Sequence, residues 1–167
     1  MGERARSPLA GLAEALDRVG AREAAFLPER DLRVDPSATT LRLPTEPNTW
    51  IADGDRDVLW LGPDEWLVVG EPDASIADAL AGVHHSLVDV SANRAVFDLL
   101  GADRSELLAA GCGLDLHPRS WRHGMCAQTL LGRIPVLLQE RTEATRVFVR
   151  SSFAGSLLGW LSAVSRR

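Results

Sequence analysis

Two hydrophobic periods alternate along the chain. Leu9, Leu12, Leu16 and Val19 fall at helical spacing, which places them on one apolar stripe. Ser7-Pro8 offers a cap and a first-turn proline, and Gly20 a stop. A helix over 8–19 is expected, within an N-terminal arm (1–24) whose stripe needs cover from its own sheet or another chain. The pattern then shortens to strand character. Leu32 and Val34 mark a short strand, 39–43 alternates until Pro44, and 49–52 is a further strand. The clearest signal follows: Val58-Leu59-Trp60-Leu61 leads into Gly62-Pro63-Asp64-Glu65, and Trp66-Leu67-Val68-Val69 leads out. This is a hairpin, with proline presetting the turn. Its strands are apolar throughout, so both faces should be covered.

A helix from Pro72-Asp73 through Leu80 and a strand over 86–90 complete this half. The stretch 86–113 is central: strand, short break, strand, helix. Asp103 and Glu106 stand at capping-box spacing, and Gly111 and Gly113 end the helix. Strands over 95–100, 126–131, 134–139 and 146–149 follow. Ser151 or Ser152 is placed to cap a last helix carrying Leu157, Leu158, Trp160, Leu161 and Val164, with Arg166 and Arg167 suiting its negative end. The reading is α+β: one domain over 25–167, built from two pseudo-repeated halves, 38–92 and 93–164. Antiparallel sheets covered by helices are expected. The halves match in element order, not in residue identity.

Composition supports this and narrows the function. With 46% apolar residues in 167 the chain can bury a core. Charge is unevenly placed: residues 34–115 carry four Arg against fifteen Asp or Glu, and residues 116–167 carry eight Arg against two Glu. Such halves can neutralise each other inside one fold, or present fields of opposite sign to partners. All eighteen cations are Arg. The absence of Lys removes Schiff-base and P-loop chemistry. No Arg cluster is interleaved with aromatics, so no nucleic-acid role is expected. No apolar run approaches a membrane span, and no secretory h-region stands at the N-terminus. Two cysteines make no disulfide framework, so a reduced, cytoplasmic protein is expected.

Candidate chemistry is sparse. Cys112, His117, His123 and Cys126 give C-x4-H-x5-H-x2-C, ligand types that suit zinc. The spacing matches no common finger, and a helix end and a strand separate the cysteines, so ordinary half-buried residues are expected. No G-x-S-x-G elbow and no G-x-G-x-x-G after a strand is present. Asp53, Asp55, Asp57, Asp64 and Glu65 lie in or beside turns without a calcium-loop pattern. No catalytic, cofactor or metal residue is assigned. Five Trp against four Phe is an unusual ratio, and Trp is enriched at interface anchors. Leu9, Leu12, Leu16, Trp50 and Trp121 are the candidate partner-interface residues, while Trp60 and Trp66 read as core.

Several stretches together resemble a family. Leu61-Gly62-Pro63-Asp64-Glu65-Trp66-Leu67, then Val88-Asp89-Val90-Ser91, then Gly111-Cys112-Gly113-Leu114-Asp115-Leu116, the 134–138 strand and the Trp-containing last helix look like the gamma subunit family of heterotetrameric sarcosine oxidase. One departure is Asn93 before Arg94, where the family pattern leads one to expect His. The resemblance implies two interlocked ferredoxin-like halves, as in the folate-binding domain of the aminomethyltransferases. It also implies alpha, beta and delta partner subunits that hold the cofactors: FMN covalently on beta, NAD and folate on alpha, zinc on delta, and FAD also in a partner. The complex would convert sarcosine to glycine, hydrogen peroxide and methylene-tetrahydrofolate or formaldehyde. The family assigns no catalytic residue to gamma, which implies an assembly role. The alternative is a free-standing folate-binding or one-carbon-transfer module.

Overall fold

The computed structural model describes residues 7–24, 26–71 and 74–165. In chain order the elements are α1 (Ala13–Arg18), β1 (Ala21–Glu23), β2 (Glu29–Val34), β3 (Trp50–Asp53), β4 (Arg56–Gly62), β5 (Glu65–Val69), α2 (Ala74–Leu80) and β6 (His85–Asp89). Then come β7 (Arg94–Leu100), α3 (Arg104–Ala109), β8 (Cys126–Leu131), β9 (Ile134–Glu140), β10 (Ala144–Arg150) and α4 (Ala154–Val164). Among the described residues the strands form two five-stranded sheets, ordered β3-β4-β5-β2-β6 and β1-β7-β10-β9-β8, and every pairing is antiparallel.

The strand pattern explains the layering. Along β5 alternate residues point to opposite faces. Trp66 and Val68 join Leu32, Val58 and the α2 residues Ile76 and Leu80 on the outer side. Leu67 and Val69 turn inward with Trp50 and Leu59 to meet Val96, Cys126, Leu137 and Phe148 of the other sheet. That second sheet buries its far face, including Phe97, Val147 and Leu138, beneath Leu16 of α1, Leu108 of α3 and Leu157, Leu158 and Leu161 of α4. The result is helix, sheet, sheet, helix, which is why the hairpin strands read apolar on both faces.

The two halves are duplicates in topology. In each, a first strand (β2 or β7) pairs with the last strand of a three-strand meander (β3-β4-β5 or β8-β9-β10). A helix follows the meander (α2 or α4). The outer neighbour of β2 is β6, which follows α2. The outer neighbour of β7 is β1, which comes from the far N-terminus. The second sheet therefore borrows its edge from the first residues of the chain, and the halves interlock.

Several local expectations change. The N-terminal helix is shorter than 8–19: Gly11 takes φ +86°, outside helical space, so residues 7–12 form successive turns and only Ala13–Arg18 is α-helical. Ser7 therefore does not cap the helix: its hydroxyl accepts from the Leu9 N–H at 3.0 Å within these turns, and α1 has Leu12 at its N-cap without a side-chain bond. Residues 39–43 are not a strand. They strap the outer face of the first sheet, where Leu41 and Leu43 pack on its core and Thr39 donates to the Ala79 carbonyl. Asp103 sits at the α3 N-cap without a side-chain bond. Ser151 opens a 3-10 turn and donates to the Ala92 carbonyl instead of capping α4. Pro72, Asp73, Arg166 and Arg167 lie outside the described residues.

The two hairpin turns solve different geometric problems. Gly132 and Arg133 both have positive φ, +55° and +70°, the mirror-image turn whose twist matches that of the strands it joins. Pro63-Asp64 closes β4 and β5 with a register shift between Trp60 and Gly62, so the strand bulges next to the turn. Trp66, opposite Trp60 in this hairpin, is fully buried, and its Nε1 donates to the Pro44 carbonyl at 2.8 Å. Truncating it leaves a large cavity and an unpartnered carbonyl. Trp66→Ala is expected to cost about 3–5 kcal/mol in chemical denaturation of the isolated chain; a variant that melts with wild type would show the indole to be dispensable to the core.

Candidate functional site: the seam between the sheets

The seam is stitched by main-chain bonds. Trp50 N–H donates to the Gly124 carbonyl at 2.8 Å, and Cys126 N–H to that of Asn48 at 2.9 Å. Ionic pins then cross from one half to the other. Glu29, on β2 and only 1% exposed, pairs with Arg94 on β7 at 2.9 Å. Ser91 binds the same corner: its hydroxyl accepts from the Glu29 N–H at 2.9 Å and donates to Asp89 at 2.7 Å. A cavity of about 250 Å³ opens here, lined by Glu29, Arg94 and Ser91 with Leu27, Val96 and the 78%-exposed Phe26. Burial pushes the Glu29 carboxyl up to about 7, with Arg94 working in the opposite direction. A carboxyl so tuned can exchange a proton near neutrality, but its ion pair makes it first a strut between sheets. The Val88–Ser91 stretch and Arg94 thus form a structural corner. Asn93 at this corner is exposed, and its backbone makes the local bonds, N–H to Val90 and carbonyl from Ser151. The departure from His is borne by a surface side chain.

A second hub is Glu140 at the end of β9. Its carboxylate accepts from Arg104 at 2.9 Å, from Trp121 Nε1 at 2.7 Å and from the Thr145 hydroxyl. Its carbonyl accepts from Trp50 Nε1 at 2.9 Å. Beside it Arg141 lies over the Trp50 ring, 5.2 Å from the centroid, and pairs with Asp57 of β4; Gln139 also donates to Asp57, at 2.8 Å. Asp98 and Arg146 form a two-point pair between β7 and β10, at 2.8 and 3.1 Å. Through Asp57–Arg141 and Asp98–Arg146, acids of the acidic middle meet bases of the basic end inside one fold.

These contacts locate the residues singled out in the sequence. Leu9, Leu16 and Trp121 are buried in the helix-covered core, with Leu12 half-buried against it, and Trp50 is buried between the sheets. Their apolar area is consumed within the chain, which leaves little of it to meet a partner. The Cys and His residues are dispersed among separate contacts. Cys126 is buried, its thiol held well above the usual range, to about 12, by desolvation, and it donates to the Thr49 carbonyl. Cys112 sits 3.7 Å from the Thr129 hydroxyl, the His117 ring accepts from the Arg119 N–H, and His123 meets Trp50 edge to face. Among the described residues no three metal-ligating side chains converge.

The Gly111-Cys112-Gly113 motif has a packing explanation that sequence reasoning missed. Trp160 of α4 lies flat on Gly111 and Gly132. A Cβ on Gly111 would stand 2.4 Å from the indole, and one on Gly132 2.6 Å. Gly132 also needs its positive φ. The two glycines form a slot for the ring.

Two outcomes follow from this geometry. Gly132→Ala should destabilise the chain by at least about 2 kcal/mol in urea unfolding, from overpacking and backbone strain together. Part should return in the double variant with Trp160→Leu, and strictly additive losses would mean that the indole is not what the methyl strikes. Glu29 has a native pKa above its unfolded value, so the folded state holds the extra proton. Stability from this group is full below about pH 4.5 and is lost as pH rises toward about 7. Across that window wild type should lose up to about 3 kcal/mol relative to Glu29→Gln. A difference that stays flat from pH 4.5 to 7.5 would show that Arg94 keeps the carboxylate ionised throughout.

The family model described as the sarcosine oxidase, gamma subunit family matches residues 33–167. Sarcosine oxidase subunit gamma from Corynebacterium sp. (strain U-96) is 35% identical, covering 93% of this chain and 87% of that protein. The Arthrobacter sp. subunit gamma is 34% identical over the same shares. Among solved structures, a chain of heterotetrameric sarcosine oxidase from Corynebacterium sp. U-96, in complex with pyrrole 2-carboxylate, superposes with a TM-score of 0.85 at 32% identity, covering 98% of this chain and 96% of that one. Glycine cleavage system aminomethyltransferase T from Bartonella henselae matches with a TM-score of 0.59 at 11% identity, over 91% of this chain and 49% of its own, a likeness of fold. The duplicated, interlocked sheets and the glycine slot thus belong to a chain of the sarcosine oxidase gamma subunit family.

Proposed function

We propose that this chain is a non-catalytic assembly subunit of a heterotetrameric sarcosine oxidase, contributing surface and rigidity to a complex whose chemistry is carried by its partners. The observation that carries this reading is the end-to-end likeness to a chain of such a heterotetramer. The use of the buried polar groups agrees with it: Glu29, Asp57, Asp98 and Glu140 are each engaged by Arg partners as struts. The reaction of the complex would be oxidative demethylation of sarcosine to glycine, with hydrogen peroxide and methylene-tetrahydrofolate or formaldehyde. FMN, FAD, NAD, folate and zinc would be held by the alpha, beta and delta subunits. A cytoplasmic location fits two free cysteines and described helices too short and polar to cross a membrane.

Co-expression with the three other subunits and affinity capture on this chain tests the reading. Recovery of all four, with flavin absorbance and peroxide formed from sarcosine, is expected, and the contact should survive high salt if its centre is apolar. The chain purified alone should show neither flavin bands nor turnover. A stable monomer that captures none of its partners, or that binds folate by itself, would move the reading to a free-standing folate module.

A further inference from the structure

One strand is left open to addition. β6 is the outer strand of its sheet, paired to β2 over five consecutive residues without a bulge, from Val34↔His85 to Arg30↔Asp89. It carries no Pro, and its one acidic side chain, Asp89, stands at the very end of the strand. Its main-chain polarity follows from two bonds. Val90 N–H donates to the Glu29 carbonyl, and Val34 N–H points the other way, to Asp64. Antiparallel pairing alternates, so Ser86 and Val88 bond inward to β2, while the N–H and C=O groups of His85, Leu87 and Asp89 face outward. Four of its five residues are exposed, Val88 by 52%. The other three edges differ: β1 has only three residues, the four-residue β3 is tied at its start to the other sheet by the Trp50 N–H to Gly124 bond, and β8 is flanked by bridges to Thr49 on the Met125 side and to Cys112 at Leu131.

Next to this edge lies an open, mainly apolar groove of about 460 Å³ between α2 and β6, lined by Ile76, Ala77, Leu80, Val83 and Leu87. Free main-chain groups beside a pocket for alternate side chains are what recognition by strand addition requires. Asp78 is exposed on α2, and Asp89 closes the strand, where its carboxylate accepts from Ser91 and its residue pairs with Arg30 of β2.

We infer that β6 is the docking edge for an extended segment of another subunit of the complex, which adds as a sixth strand and places an apolar side chain in the α2–β6 groove. This rests on the assembly reading above and names the surface it uses. Two points fix the occupant as a partner subunit. The related solved chain belongs to a heterotetramer, and the apolar residues of α1 and the seam are already spent inside the chain.

The test uses the co-expressed complex captured on this chain. Ala77→Trp fills the groove from an exposed helix position, and Leu87→Pro removes an outward N–H without breaking a β2 bond. Leu130→Asp, exposed on the other sheet, is the control. Ala77→Trp is expected to keep the wild-type melting temperature of the isolated chain and to lower recovery of the partner subunits at least tenfold, while Leu130→Asp recovers them normally. Leu87→Pro should do the same; if it does not fold, Ala77→Trp decides. Wild-type assembly with wild-type recovery for Ala77→Trp would overturn the inference and leave the assembly reading intact. Failure of wild type itself to assemble would overturn both.

Discussion

Neither sheet of this protein can stand in water on its own. β4 and β5 alternate between two apolar environments, one under α2 and one against the other sheet, and β7 and β10 do the same beneath α1, α3 and α4. Burying both faces of both sheets removes far more apolar surface from water than a two-layer fold of this length would. It also makes each half the solvent shield of the other. The cooperative unit is therefore the pair, and the polar network has to serve it. Glu29–Arg94 and Asp57–Arg141 join opposite halves and Arg104–Glu140 joins helix to sheet, while Asp98–Arg146 ties neighbouring strands of one sheet, so the electrostatics specify how the halves sit as much as they stabilise them. Breaking one partner of such a buried pair costs more than the pair contributes, because the other charge stays buried.

The sequence carried the strands well because their pattern is local. The β4–β5 hairpin, β7, β8 and β9 fall within a residue or two of the alternating runs, and the duplicated element order reappears as duplicated topology. What it could not carry is long-range. Residues 39–43 alternate like a strand, yet Leu41 and Leu43 pack on the face of a finished sheet and join none of its ladders. The arm reads as one helix by its apolar spacing, but Gly11 divides it, a conformational fact invisible to hydrophobic period. Leu9, Leu16, Trp50 and Trp121 looked available to a partner because their cover, α4, the opposing sheet and the Glu140 carboxylate, comes from distant parts of the chain.

The candidate site was less legible than the fold. The C-x4-H-x5-H-x2-C spacing suggests chemistry only while the chain is read as a line; in three dimensions one thiol enters the intersheet core and the other turns toward Thr129. Gly111 and Gly132 are twenty-one residues apart and share one purpose through Trp160. The Glu29–Arg94 pair likewise joins positions sixty-five residues apart. In each case the deciding partner lies far away in sequence, and residue type at one position says nothing of it.

The borrowed edge strand has a consequence for how the chain comes into being. β1 pairs Ala21 with Leu99, so this strand has no partner until about 78 more residues have been made, roughly 4–16 s at ordinary synthesis rates. The first half can complete its own β2–β6 sheet during that interval, but it still presents a bare apolar face that only the unborn half can cover. Folding of the nascent chain is thus held back by topology until nearly all of it is available, a high-contact-order route on which helper proteins that shield exposed sheets have time to act.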